Sequence, residues 1–279
     1  MREMILAVAS GKGGTGKTSV ACALALALDR PLTFLDCDVE GANAHLFIRP
    51  DLRSQEEVLV PYPMIDHSKC NLCGKCVEQC HFGAMVRLGK KVKVMENLCH
   101  GCGVCRLVCP QNAIIMSGRP VGIVHQGTAG LMRFFCGELR TGEALSVPII
   151  KRIKSEKDDL VIIDCPPGTS CPAVESVEGS DFALLVTEPT PFGIHDLKAM
   201  ITVCRRLDVP CGAVINRSFG EDREVESLCE MAGVPVLLKI PFDRKVAEAY
   251  AKGGNLLEAM PELRERLRDI YIEIRGLGR

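Results

Sequence analysis

The sequence predicts an α/β protein: a doubly wound, mostly parallel sheet interrupted by a small cysteine-rich α+β insert. Three observations lead there. A glycine loop, GKGGTGKT, stands between a strand-like MILAVAS and a helix-like SVACALALALDR. Apolar runs of strand length alternate with amphipathic stretches through the second half of the chain, as in a parallel sheet covered by helices on both faces. Between these parts lie two cysteine runs of identical spacing, starting at Cys70 and Cys99.

Composition sets the outer bounds. With 279 residues, 47% of them apolar, the chain can bury one large core and carry a smaller unit beside it. Its 34 basic residues against 35 acidic leave no global charge to hold nucleic acid or a membrane surface, so neither is an expected partner. No secretory signal is read before the first strand, so the sixteen cysteines are expected to be metal ligands or reduced thiols of a cytoplasmic protein, not disulfides. The longest strictly apolar run, VACALALAL, is far short of the ~20 residues that cross a bilayer.

The first strand leads into the glycine loop, which fits two patterns. Gly11, Gly13 and Gly16 match the dinucleotide fingerprint G-x-G-x-x-G, with Asp36 about twenty residues on, where a ribose-binding acid would stand. The stricter phosphate-loop pattern is met as well, and it governs. Gly11, Lys12, Gly13, Gly14, Thr15 and Gly16 supply backbone N–H groups around a phosphate, with Ser19 following in the helix. Lys17 reaches the terminal phosphates and Thr18 coordinates Mg²⁺. Such a loop needs a second carboxylate on another strand tip to hold the hydrated metal, and LVIIDCPPG supplies Asp164.

The extra lysine, Lys12, gives KGGTGKT, which resembles the deviant Walker A loop of the ParA/MinD ATPases, a group related to the nitrogenase iron protein. The resemblance implies an ATP-sandwiched homodimer in which Lys12 crosses the interface to the partner's nucleotide. PLTFLDCDVEGAN looks like the family's second strand running into switch I, which implies that Asp38 positions or activates water and that Asp36 supports the Mg²⁺ shell. DCPPG is similar to switch II, with Gly168 placed to report the γ-phosphate. FALLVTEPTPFGIHDLKAMITVCRRL then reads as strand and amphipathic helix, and CGAVINRS and VPVLLKIPFD as two further strands. By the same resemblance, Asn216 and the Pro241–Asp243 loop, with Pro241 and Asp243 at its ends, meet the adenine. The closing PELRERLRDIYIEIRG puts Leu263, Leu267, Ile270 and Ile274 on one helical face, expected to dock on the core and not on a membrane.

The insert has its own logic. Cys70, Cys73, Cys76 and Cys80, then Cys99, Cys102, Cys105 and Cys109, form two C-x₂-C-x₂-C-x₃-C runs 29 residues apart. Duplicated runs of this spacing point to a pair of [4Fe–4S] clusters, because the fourth cysteine of each run crosses to the other cubane. Cys70, Cys73, Cys76 and Cys109 are therefore expected at cluster 1, and Cys99, Cys102, Cys105 and Cys80 at cluster 2. Zinc is the competing metal, but it rarely takes this duplicated spacing. FGAMVRLGKKVKVMENL between the runs resembles the hairpin of bacterial two-cluster ferredoxins. Lys69, Lys75, Arg87, Lys90, Lys91, Lys93 and Arg106 offer a basic face to an acidic redox partner.

The prolines at 61 and 63 and the SGRPVG stretch mark the expected limits of the insert, dividing the chain into ATPase residues 1–62 and 119–279 around an insert at 63–118. The whole chain resembles MinD-superfamily ATPases with an inserted ferredoxin domain. That resemblance implies a Mg-ATPase whose nucleotide-driven dimer switch is coupled to electron transfer to a partner protein, or to metal-cluster assembly on it. A redox-sensing positioning or partition-type switch and a ferredoxin-like carrier with a regulatory nucleotide module are the alternatives.

Overall fold

Apolar strands separated by helices assemble into one nine-stranded sheet. The computed structural model describes residues 4–277. Residues 1–3 and 278–279, the ends of the first and last predicted segments, lie outside the described part. In chain order the elements are β1 (Met4–Ala9), α1 (Lys17–Leu28), β2 (Leu32–Asp36), α2 (Ala44–Ile48) and β3 (Asp51–Ile65). Next come α3 (Lys75–Glu78), β4 (Met85–Leu88), β5 (Lys91–Val94), α4 (Val104–Leu107), β6 (Ile114–Ala129) and β7 (Met132–Leu139). Then follow α5 (Val147–Lys154), β8 (Leu160–Asp164), α6 (Cys171–Val177), β9 (Phe182–Thr187) and α7 (Pro191–Arg206). The chain closes with β10 (Cys211–Ser218), α8 (Arg223–Met231), β11 (Val236–Pro241), α9 (Arg244–Ala251), α10 (Leu256–Ala259) and α11 (Leu263–Leu277).

The strand order is β11-β10-β9-β1-β8-β2-β7-β6-β3. From β11 to β7 every pairing is parallel. Such strands are covered on both faces, which is why β2, β8 and β9 are buried throughout. One core lies under α1, α10 and α11, the other under α5, α7 and α8. The helix α1 is apolar all round because the sheet takes one side and α11 the other. Leu263, Leu267, Ile270 and Ile274 are all buried, as the terminal pattern predicts. Each such side chain contributes about 1.5–3 kcal/mol by burial.

Beyond β7 the sheet departs from the sequence expectation. β6 and β3 are antiparallel additions, paired from Asp51↔Thr128 to Ile65↔Ile114. Pro61 and Pro63, expected to mark the entry to the insert, lie inside β3, and SGRPVG, expected at its exit, lies inside β6. The reason is that β3 is the sheet edge. Two prolines spaced by two turn their missing donors to the same outer side, where no ladder bond is lost and edge pairing with another chain is discouraged.

Register fixes where this hairpin points. Asp36 is level with Cys136, Cys136 with His125, and His125 with Gln55. The last rung on β7 joins Leu139 to Gly122, so the pairs from Leu59↔Pro120 to Ile65↔Ile114 run on alone. At about 3.3 Å per residue they form a two-stranded arm roughly 20 Å long, leaving the sheet at the edge where Asp36 and Asp164 end their strands. Asp66 to Ala113 is carried at its tip.

The tip segment buries few apolar residues of its own: Met85 and Val92 pack with Ile114 of β6 and with the cysteines around them. Its two halves repeat in backbone as well as in sequence. Left-handed residues recur at the 29-residue offset, Leu72 with Gly101, Gly74 with Gly103 and Gly83 with Asn112. Gly101 also meets the arm: at φ +69 a Cβ there would lie 2.5 Å from the Pro61 carbonyl oxygen. Gly101→Ala is expected to unseat this half at a cost of about 1–3 kcal/mol, seen as an earlier thermal transition with α1–α11 packing intact. An unchanged melt would contradict that docking.

Candidate nucleotide and cysteine sites

The nucleotide residues gather where β1, β2 and β8 end. Gly16 is left-handed and lies so close to the Asn216 amide that no side chain fits there. Asn216 Nδ2 donates to the Thr15 carbonyl at 2.7 Å, tying β10 to the loop. Lys17, 6% exposed, lies 2.6 Å from Asp164 Oδ1 and 3.9 Å from Asp38 Oδ2, with Thr18 Oγ1 at 3.3 Å. Burial alone would push the Lys17 ammonium down, but Asp164 and Asp38 outweigh it and hold its pKa above the usual value. Burial, and then the nearby Asp164, pushes Asp36 up to about 7.

Three of the predicted residues are occupied in ways the sequence does not reveal. Both Asp36 oxygens accept backbone N–H groups, from Asp38 and Ala44, so Asp36 shapes the loop between β2 and α2. The Gly168 N–H, expected to report a γ-phosphate, is donated to the Ser10 carbonyl at 2.9 Å. Lys12 lies 3.3 Å from Glu188, which also pairs with Arg217. Glu188 is a residue the sequence reading missed. Glu188→Gln frees Lys12 and is expected to strengthen ATP-dependent self-association up to about fivefold, the range of a partly exposed ion pair. Weaker association, measured by analytical ultracentrifugation, would contradict a restraining role.

The loop has room for its ligands. Asp164 Oδ2 and Thr15 Oγ1 are buried without hydrogen-bond partners, which hydrated Mg²⁺ and a phosphate would supply. Beside them a cavity of about 230 Å³ is lined by Gly16, Ser19, Asn216, Pro241, Phe242 and Tyr250, with Asp243 at its rim capping α9. Pro241 and Phe242 give it the apolar wall a base would stack on.

At the arm tip the cysteines line two separate pockets. One is lined by Cys70, Cys73, Cys76 and Cys109, the other by Cys99, Cys102, Cys105 and Cys80. Each set takes three residues from one run and the fourth from the other. The fourth cysteines are held alike: Ala84 N–H donates to Cys80 Sγ and Ala113 N–H to Cys109 Sγ, both at 3.3 Å. Among the described residues no three His, Cys, Asp or Glu side chains converge on a point that would hold a single metal ion. The first pocket abuts Ile65 and Ile114 and the second Pro63 and Met116, so both rest on the arm. The seven basic residues of the insert are all exposed.

A parallel β-sheet with a glycine phosphate loop at its carboxyl edge, backed by a lysine and paired aspartates, defines a P-loop nucleotide-binding protein of the MinD type. The chain belongs to the CobQ/CobB/MinD/ParA nucleotide binding domain family, CbiA, which it matches over residues 6–256. Two uncharacterized proteins of Methanocaldococcus jannaschii are 31% and 32% identical to it, over 91% and 98% of this chain and 92% and 96% of their own lengths. The iron-sulfur cluster carrier protein of Pyrococcus furiosus is 27% identical over 98% of this chain and 88% of its own. A cytosolic Fe-S cluster assembly factor Nubp2 homolog of Anopheles gambiae is 24% identical over 98% and 97%. Among solved structures, the septum site-determining protein MinD of Pyrococcus horikoshii, complexed with Mg-ADP, superposes with a TM-score of 0.59. At 20% identity over 99% of this chain and 97% of that one, the likeness is one of fold. No helix among the described residues is long and apolar enough to cross a membrane.

Proposed function

We propose that this protein is a Mg-dependent ATPase carrying two [4Fe–4S] clusters, in which nucleotide-driven dimerisation governs electron transfer to a partner protein. In this reading residues 63–118 are a ferredoxin-like domain inserted between ATPase segments 1–62 and 119–279. The observation that carries it is the pair of crossed four-cysteine pockets on an arm that leaves the sheet at its nucleotide edge. Bound clusters would supply one-electron storage. The chain's own residues do the rest. Lys17 and the loop N–H groups bind and orient the phosphates, Thr18 and Asp164 hold Mg²⁺, and Asp38 positions the attacking water. Lys12, released from Glu188, reaches the second copy's nucleotide. The exposed lysines of the insert meet an acidic partner.

Assembly or transfer of clusters to a partner is the second reading, favoured by relatives that bear iron-sulfur carrier and assembly names. Anaerobic purification of the full chain tests both. About eight irons per chain, together with Mg-ATP binding in the same preparation, is the expected result. Zinc in place of iron, or no retention of Mg-ATP, would overturn the proposal. Incubation with an iron-free acceptor then separates the readings: electron transfer leaves the donor's iron in place, whereas cluster transfer depletes it.

A further inference from the structure

Where the arm meets the body, one arginine is buried with three of its five N–H donors unpaired. Arg119, on β6, is 7% exposed, and its Nε and Nη2 have no hydrogen-bond partner. Its remaining nitrogen, Nη1, faces two ways. It is ion-paired with Glu143 of the body and lies 3.9 Å from Glu96 of the insert. Glu96 opens the single helical turn Glu96–Leu98 that delivers Cys99. The Tyr62 phenol, pushed up by burial, also feels Glu96, Cys99 and Arg119, which puts these groups in one electrostatic neighbourhood. Buried N–H donors left unpaired cost free energy, so the unpaired side of Arg119 gains from any acceptor brought within reach.

The other end of the contact leads to the nucleotide switch. Glu143 Oε1 accepts the N–H groups of Ala144 at 2.9 Å and Leu145 at 3.1 Å, shaping the turn before α5. α5 packs on α6, and Lys154 at its end donates to the carbonyls of Glu175 and Glu178 while Lys151 lies 3.5 Å from the Glu175 carboxylate. α6 starts at Cys171, directly after the loop that carries Gly168. One arginine therefore joins the cysteine insert to the helix pair behind switch II.

We propose that Arg119 is a positioning residue that couples charge at the Cys80, Cys99, Cys102 and Cys105 site to switch II through Glu143, α5 and α6. The proposal rests on reading that site as a cluster. A cluster held there would, on accepting one electron from a reductant such as dithionite, leave the site one unit more negative. The unpaired side of the guanidinium would then turn toward it, the Glu143 pair would weaken, and the turn that Glu143 shapes would be released. Because coupling between two sites is reciprocal, bound nucleotide must shift the reduction potential in return.

The test is an EPR-monitored redox titration of the reconstituted full chain, with and without Mg-AMP-PNP. In the native protein one cluster is expected to shift by the equivalent of about a tenfold change in its reduced-to-oxidised ratio, about 59 mV for one electron. In Arg119→Gln and in Glu143→Gln the shift disappears, while both cluster signals and AMP-PNP binding remain. Arg119→Lys, which keeps the charge, retains part of it. A shift that survives in both neutral variants overturns the proposal, as does its absence from native protein with both clusters intact and nucleotide bound. Missing iron or missing nucleotide binding in the native protein is a different outcome: it removes the parent function and this coupling with it.

Discussion

Lys17→Ala is expected to lower ATP turnover by about 10²–10³-fold or more and to destabilise the empty protein as well. The first effect follows from losing the charge that meets the terminal phosphates. The second follows from what stays behind. Asp164 is fully buried and has Lys17 as its ion partner, with Asp36, also fully buried, and Asp38 nearby. Removing one member of such a pair strands a buried charge, at a cost of about 3–5 kcal/mol. Urea unfolding of the nucleotide-free variant should show that loss. Adding Asp164→Asn should restore most of the stability and none of the turnover. Turnover of Lys17→Ala within tenfold of native would contradict the assigned role.

Single cysteine replacements should show the crossing of the two runs. In Cys80→Ser the cluster lost should be the one served by Cys99, Cys102 and Cys105, and in Cys109→Ser the one served by Cys70, Cys73 and Cys76. Each variant should keep about four of about eight irons. The insert buries so little apolar surface of its own, with Met85, Val92 and Ile114 at its centre, that the affected half should also lose protection from proteolysis. The two variants can be told apart by pairing each with Cys73→Ser. Cys109→Ser with Cys73→Ser should keep one cluster, whereas Cys80→Ser with Cys73→Ser should keep none. The reverse result would mean that each run serves its own cluster.

What could be read from sequence is what chemistry ties to fixed spacing. A phosphate needs consecutive N–H groups followed by a lysine and a hydroxyl, so Gly11 to Thr18 could be recognised directly, and the repeated cysteine intervals pointed to the crossed grouping that the two pockets show. The face of α11 was legible because a 3.6-residue period survives translation into burial. The arm was not. Pro61, Pro63 and Pro120 are breakers in an inner strand and harmless on an open edge, and which strand is the edge is decided only when the sheet assembles. Glu188 and Arg119 carry no local pattern either. Each acquires its meaning from residues far away in the chain: Lys12 for Glu188, and Glu96 and Glu143 for Arg119. The same holds for the bonds that occupy Asp36 and Gly168, since a motif shows which groups are present but not what they hold between turnovers.

The central claim is that the nucleotide edge and the cysteine-bearing arm act as one device. ATP turnover of a single anaerobic preparation, measured with its clusters oxidised and again with them reduced, tests this most directly. The account predicts rates that differ by severalfold between the two states. Equal rates, with about eight irons present in both, would contradict it.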